Sequence, residues 1–353
     1  MKYVLIQTAI GDYRQNVLSI VSQKLGDEFT ILCGHEYFEE STKTRINIKN
    51  VRYIDNIFFY RRKFLFQKDC MRAGIKAESV ILELNPRIVN VWLIIFARKL
   101  LGRKTVLWGH AWPRYGKMAK SDRVRNVLRN LADILILYTK KQAVELKEKE
   151  PRSKLIVAPN SLYFKDDMWC KHSQQRDFIY VGRLIKQKKP ELMIKAFIAF
   201  TENNEDSTLI IVGDGPEKAR LEKIVENNNL NDRIKFKGHI SDLGTLRQLY
   251  RTAVASVSPG YVGLSITQSL SFGVPMIISK NENHAPEIEA AKEGFNTEFF
   301  NTDSVQDLAS KYQYFYENKN LWSERAESII NDCKDNYTAE KMADSIIKAF
   351  QDG

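Results

Sequence analysis

The sequence predicts an α/β chain built from two doubly wound, Rossmann-like domains, and three observations carry that expectation. Its 353 residues allow two separate cores at roughly 150 residues per domain. Short apolar, β-rich runs alternate with amphipathic helical patterns, as expected of a parallel sheet covered by helices. The alternation then restarts after a polar joint near residues 170 to 176.

Taken in order, the first half reads as strand YVLIQTA, a helix through Leu25, strand FTILCG, an irregular stretch and strand SVILELN. A helix near 88 to 101, strand KTVLWGH, and strands within LADILILYT and KLIVAPN follow, separated by further helices. The second half reads as DFIYVGR, a helix from Pro190, STLIIVGDG, a helix from Pro216, RIKFKGH, a helix, VASVSPG, a helix and PMIIS. Proline suits a first helical turn, where its missing N–H costs nothing. Helical patterns from 304 to 351 close the chain. The expected domains are residues 1–170 and 171–335, with a final helix at 336–353 packing back on the first domain. Ligands of such sheets sit beyond the carboxyl ends of the strands, so two facing domains imply a cleft.

A hydrophobic fraction of 44% against 27% charged residues gives disordered and fibrous classes little support. The opening MKYVLIQTAIGDY is interrupted by Gln7 and Thr8, which reads as a buried strand rather than a cleavable signal, and a cytoplasmic location is expected. The apolar run VWLIIFA at 91 to 97 is far shorter than the ~18 residues of a membrane span. Cys33, Cys70, Cys170 and Cys333 are scattered without metal-ligand spacing, so reduced, mostly buried thiols and no metal site are expected. Charge is asymmetric. Residues 1–170 hold 31 Lys and Arg against 17 Asp and Glu, and the remainder 23 against 26. The basic half should face an anion: membrane lipid or a lipid-phosphate acceptor before nucleic acid, for which no reader motif is present. Phe58 to Phe64 and the basic segment Arg114 to Arg129 are candidate peripheral contacts with anionic membrane, a reading of equal weight with phenylalanines filling the core and cations that are simply solvated.

Three loops carry candidate chemistry. Gly182-Arg183-Leu184-Ile185-Lys186-Gln187-Lys188 follows a strand, and its Arg and Lys, five residues apart, suit convergence on one diphosphate. Gly213-Asp214-Gly215-Pro216 permits a tight turn that exposes backbone amides. Gly263-Leu264-Ser265 opens a helix whose first amides and dipole suit a phosphate. Taken alone, the first loop is more often solvated basic surface and the second a plain βα turn. In the first half, Gly11 follows the first strand and His110 ends the strand TVLW, with catalytic and structural readings of equal weight. No GxGxxG follows the first strand, which argues against a dinucleotide-dependent dehydrogenase.

Together, GR(x4)K, GDGP, KFKGH, the Gly263 turn and SFGVPMI resemble glycosyltransferase family 4, retaining enzymes of the GT-B fold. The likeness is strongest from VGRLIKQKK to about residue 300 and weaker at Gly11, His110 and VAPNS. The resemblance implies a metal-independent enzyme, without cofactor, that moves a sugar from a nucleoside diphosphate to a glycan or lipid-linked acceptor in surface polysaccharide synthesis. Arg183 and Lys188 would neutralise the leaving diphosphate, and His110 would bind the donor sugar or orient the reacting groups. Donor contacts are expected at Gly11, Gly182, Gly213, Asp214, Gly215, Gly238, His239, Gly263, Leu264, Ser265, Gln268 and Glu287, with His239 beside the nucleobase. One departure stands out. Where the family carries two glutamates eight positions apart, this chain has Gly260 and Gln268. Two other readings stay open: a nucleotide-sugar epimerase of the same architecture, and a nucleotide- or membrane-binding protein without turnover.

Overall fold

The computed structural model describes residues 2–39, 43–113, 116–149, 152–202, 204 and 206–353. The chain divides into two compact units, one formed by Met1–Phe164 with Tyr337–Gly353 and the other by Lys165–Asn336.

The first unit contains β1 (Tyr3–Gln7), α1 (Gln15–Leu25), β2 (Phe29–Cys33), β3 (Val51–Tyr53), the strands β4 (Asn56–Phe59) and β5 (Phe64–Gln67), α2 (Met71–Lys76) and β6 (Ser79–Glu83). It continues through α3 (Val89–Leu100), β7 (Val106–Trp108), α4 (Asp122–Leu131), β8 (Ile134–Leu137), α5 (Lys140–Lys147) and β9 (Lys154–Val157). Seven strands form a parallel sheet in the order β3-β2-β1-β6-β7-β8-β9, while β4 and β5 pair as an antiparallel hairpin. Every residue of β2 and β8 is buried, because helices cover both faces and an unbroken apolar run is stable only there. One face packs against Val17 and Val21 of α1 and against Met342, Ile346 and Phe350 of the closing helix Ala339–Asp352. The Phe350 ring meets Tyr3 and Phe29 edge-on, at 5.5 and 5.6 Å. The other face is covered by Ile94 and Ile95 of α3, Leu128 of α4 and Leu146 of α5.

The second unit contains β10 (Asp177–Val181), α6 (Pro190–Thr201), β11 (Leu209–Val212), α7 (Lys218–Asn227), β12 (Ile234–Gly238), α8 (Leu243–Arg251) and β13 (Ala253–Ser258). It ends with α9 (Ser265–Ser271), β14 (Met276–Ser279), β15 (Thr297–Phe300), α10 (Val305–Glu317) and α11 (Lys319–Asn336), after which α12 is the closing helix of the first unit. Its six strands are parallel in the order β12-β11-β10-β13-β14-β15. The core is aromatic: Phe178, Phe197, Phe200 and Tyr312 meet at ring separations of 4.5 to 6.2 Å. The chain reverses its direction of travel across the sheet between β1 and β6 in the first unit and between β10 and β13 in the second. Ligands of open α/β sheets bind at such points, beyond the carboxyl ends of the strands.

Two sequence expectations change. Pro190 does open α6, but α7 begins at Lys218 rather than Pro216. The amide of Glu217 is drawn to the Leu184 carbonyl at 3.1 Å, which holds Gly215 to Glu217 in a turn against the neighbouring loop. The expected membrane segments are only partly surface. Arg114 lies outside the described residues. Arg129 is fully buried and bidentate to Asp122 at 2.8 and 3.0 Å, and Arg125 donates to the Leu84 and His110 carbonyls. These two cations hold the fold. Phe58 lies under the Arg62 guanidinium at 3.8 Å, so it packs instead of projecting.

Candidate functional site

In the second unit, the loops after β10, β11 and β12 are bonded into one surface. The Gly182 amide donates to the Val212 carbonyl at 2.9 Å, Leu184 to Asp214 at 2.9 Å, and Gly213 to Gly238 at 2.7 Å. Gly213 has φ +142°, and a Cβ there would lie 1.9 Å from the Gly182 carbonyl oxygen. Only glycine permits that approach. Asp214 caps the amide of Gly215 at 2.8 Å and stays exposed beside Lys218, while His239 is exposed just past β12.

The loop after β10 sorts its lysines. Lys186–Lys188 form a turn of 3-10 helix, and Lys189 is left-handed at φ +50° before Pro190. Lys189 pairs with Glu282 and Asp303, both at 2.6 Å, so it is committed to acidic partners. Lys188 instead donates to the Tyr261 carbonyl at 2.7 Å and lies 3.7 Å over the Tyr261 ring. Burial and the neighbouring Arg183 guanidinium push its pKa down to about 8, against the pull of Glu287. Arg183 itself is exposed, and Glu287 is buried in the 3-10 turn Pro286–Ala290. Gly260 packs against the Lys188 loop: a Cβ there would lie 2.5 Å from the Gln187 carbonyl oxygen. Thus β10 and β13, adjacent at the reversal point, bring Arg183, Lys188, Gly260 and Tyr261 together.

Gly263, Leu264 and Ser265 lead into α9, whose first amides have no intrahelical acceptors. Gln268 follows in the same helix, 8% exposed, with no side-chain hydrogen bond among the described residues. The sequence reading missed His284. Its Nδ1 accepts from the Val262 amide at 3.0 Å, and its Nε2 lies 3.0 Å from the Ser279 carbonyl, a pair of contacts that requires the neutral, Nε2-protonated ring. Burial favours the same neutral form by lowering the pKa. His284 thereby ties the loop after β13 to the loop after β14; its place directly before Ala285-Pro286-Glu287 was the available signal.

Gly11 and His110 belong to the first unit. Gly11 is extended, with its carbonyl accepting from the Arg14 amide at 3.1 Å. The His110 ring meets Tyr138 edge-on at 4.8 Å, and Tyr138 accepts from Arg14 at 3.1 Å. Arg14 is buried, lies 4.2 Å over Trp108 and also reaches Asn160 of the VAPNS string at 3.3 Å. The His110 side chain reaches solvent, but surrounding protein and the Arg125 and Arg14 guanidiniums hold its pKa down at about 4. At neutral pH it is a neutral imidazole. Beside β1, Glu83 accepts from the Thr8 amide and hydroxyl at 3.1 and 2.7 Å and from Tyr37 at 3.0 Å, which makes it an organising carboxylate. Nothing in its local sequence marked it. Among the described residues, no group of three or more His, Cys, Asp or Glu is placed to hold a metal ion. Cys33, Cys70 and Cys333 are buried and Cys170 half-buried.

Residues 169–336, which make up nearly all of the second unit, match the family model Glycosyl transferases group 1. This match replaces the family 4 assignment drawn from the motif string. The chain is 30% identical over 178 residues to the UDP-N-acetylglucosamine–peptide N-acetylglucosaminyltransferase GtfA subunit of Limosilactobacillus reuteri, covering 50% of this chain and 29% of that protein. It is 26% identical over 125 residues to the alpha-monoglucosyldiacylglycerol synthase of Acholeplasma laidlawii, covering 35% and 31%. The matched region thus spans about a third or less of those relatives. Among solved structures, Anabaena HepE in complex with UDP superposes with a TM-score of 0.75 at 15% identity over 100% of both chains. Pneumococcal GtfA in complex with UDP and GlcNAc gives 0.71 at 13% over 100% and 99%. The fold is GT-B.

Proposed function

We propose that this chain transfers a sugar from a nucleoside diphosphate donor to a glycan or lipid-linked acceptor, with the diphosphate seated where the loops after β10 and β13 meet. The observation that carries this reading is the position of Lys188 at the reversal point of the second sheet, beside Arg183 and bonded to the Tyr261 carbonyl, with the Gly263–Ser265 turn following Tyr261 in sequence. As the glycosidic C–O bond breaks, negative charge grows on the leaving phosphate oxygen, and prepositioned cations and amides stabilise it. No metal is required by that arrangement. The sugar's configuration is retained, with the leaving phosphate oxygen taking the acceptor proton. Gly182, Gly213 and Gly215 let the donor approach the backbone, Asp214 and Glu287 flank it, and Gly238 and His239 border the nucleobase. Gln268 accepts a ribose hydroxyl.

UDP leads the donor series because HepE and GtfA were solved with it, and a lipid acceptor is supported by the diacylglycerol-modifying relative. The test is a thermal-shift series with UDP-, GDP-, ADP- and TDP-sugars, since a ligand of the native state raises stability as ln(1 + [L]/Kd). Stabilisation by one donor with transfer to an acceptor supports the proposal. Sugar epimerisation without acceptor, or binding without turnover, overturns it.

A further inference from the structure

The outer surface of the helical layer over α3 and α4 is apolar where a folded protein would be expected to be polar. On α3, Leu93, Phe96 and Leu100 recur at helical spacing and are exposed, and Leu101 continues the stripe. The inward residues Val91, Ile94 and Ile95 fill the core, so α3 is apolar on both sides. Trp92, half-buried against the core, stacks on Phe96 at 6.4 Å. On α4, Val124 and Val127 point outward while Leu128 packs on the same core face as α3. Met118, before α4, is 89% exposed. Exposed cations flank these residues in sequence: Lys99, Arg103 and Lys104 follow the α3 stripe, Arg103 and Lys104 also donating to backbone carbonyls, and Lys117, Lys120 and Arg123 lie within two residues of Met118 or Val124.

We infer that the outer face of α3, with the adjoining face of α4, is a docking surface for an anionic lipid bilayer. An apolar helical face bordered by Lys and Arg lies in a membrane interface, its side chains among acyl chains and its cations among headgroup phosphates. Charge selects the occupant. The excess of Lys and Arg over Asp and Glu lies wholly in residues 1–170, the part of the chain that carries this face. A basic surface repels a second copy of itself and attracts an anionic one. No helix among the described residues is long and apolar enough to cross a membrane, so the contact is interfacial. The surface is distinct from the donor loops and does not rest on the proposed transfer activity.

The experiment is flotation of the full chain with vesicles of phosphatidylcholine alone or mixed with phosphatidylglycerol, at low and high salt. Binding should require phosphatidylglycerol and weaken with salt. Leu93→Gln/Phe96→Gln should lower partitioning at least about tenfold, and Lys99→Gln/Lys104→Gln roughly 30-fold at low salt. All four substituted side chains are exposed, so unchanged thermal midpoints exclude misfolding as the cause. A Leu93→Ser single variant with a smaller loss serves if the double variant does not fold. Equal binding to neutral vesicles, or undiminished binding by the folded α3 variants, overturns the inference. So does absence of flotation with self-association that Phe96→Gln abolishes, which would assign the face to a second copy.

Discussion

Gly260 is backed against Lys188: a Cβ built on Gly260 would come within 2.9 Å of the Lys188 Cα and 2.8 Å of its carbonyl carbon. The position where the resembled pattern carries a glutamate is therefore sterically closed by the loop that holds the candidate phosphate lysine. Gly260→Ala should destabilise the second unit by about 1–3 kcal/mol, the usual cost of forcing extra atoms into a packed site. Gly260→Glu should not gain activity. Unfolding midpoints and donor affinity check this; an unperturbed Gly260→Glu protein with improved transfer would sink it.

Lys188→Ala and Arg183→Ala should each lower kcat about 10²- to 10³-fold at saturating donor, the range for losing a contact to developing negative charge. Both should stay folded. Near-wild-type turnover of the two variants removes the site assignment.

The Lys188 pKa of about 8 adds a pH signature. Its folded value lies below the unfolded one, so between them the unfolded chain binds more protons and this group's contribution to stability rises with pH. Diphosphate affinity runs the other way. Above pH 8 the ligand-free lysine loses its proton, and nucleoside diphosphate binding should weaken by at most about tenfold per pH unit. Calorimetry between pH 7 and 9.5 measures this, and Lys188→Arg should flatten the profile.

His110 should titrate near pH 4 instead of 6.5. The unfolded chain takes up the proton first as pH falls through 6.5, so this group's contribution to stability declines between 6.5 and 4 and is constant above that window. Arg14→Met should move the imidazole pKa upward by removing one guanidinium. Imidazole resonances followed by NMR decide it: an unshifted midpoint in the variant means Arg14 does not set the His110 charge.

Gln268→Ala should weaken donor binding only several-fold, because a neutral hydrogen bond contributes about 0.5–1.5 kcal/mol net. Gly260 offers no side chain, so a sugar contact there comes from backbone, from elsewhere or is absent, which favours a donor sugar that lacks a hydroxyl or presents it differently, such as a deoxy sugar. Titration calorimetry with the matching nucleotide-sugar reads the change, and unchanged affinity places Gln268 outside the donor site.

The two doubly wound sheets were legible in the sequence because burial on both faces demands unbroken apolar runs such as ILIL of β8 and LIIV of β11, whatever lies around them. The glycines of the β10 and β11 turns were legible too, since local backbone geometry restricts their replacement. What the tertiary structure decided was partnership. The GR(x4)K spacing singled out Lys188, but only packing sends its neighbour Lys189 to Glu282 and Asp303 and lays Lys188 on Tyr261. Arg123 and Arg129 look alike in the string, but one is exposed and the other is buried against Asp122. His284 and Glu83 stayed silent because each draws its importance from residues far along the chain. Periodicity records which side of an element is buried; it carries no record of which distant side chain meets a given charge, and that pairing sets both the pKa and the chemistry.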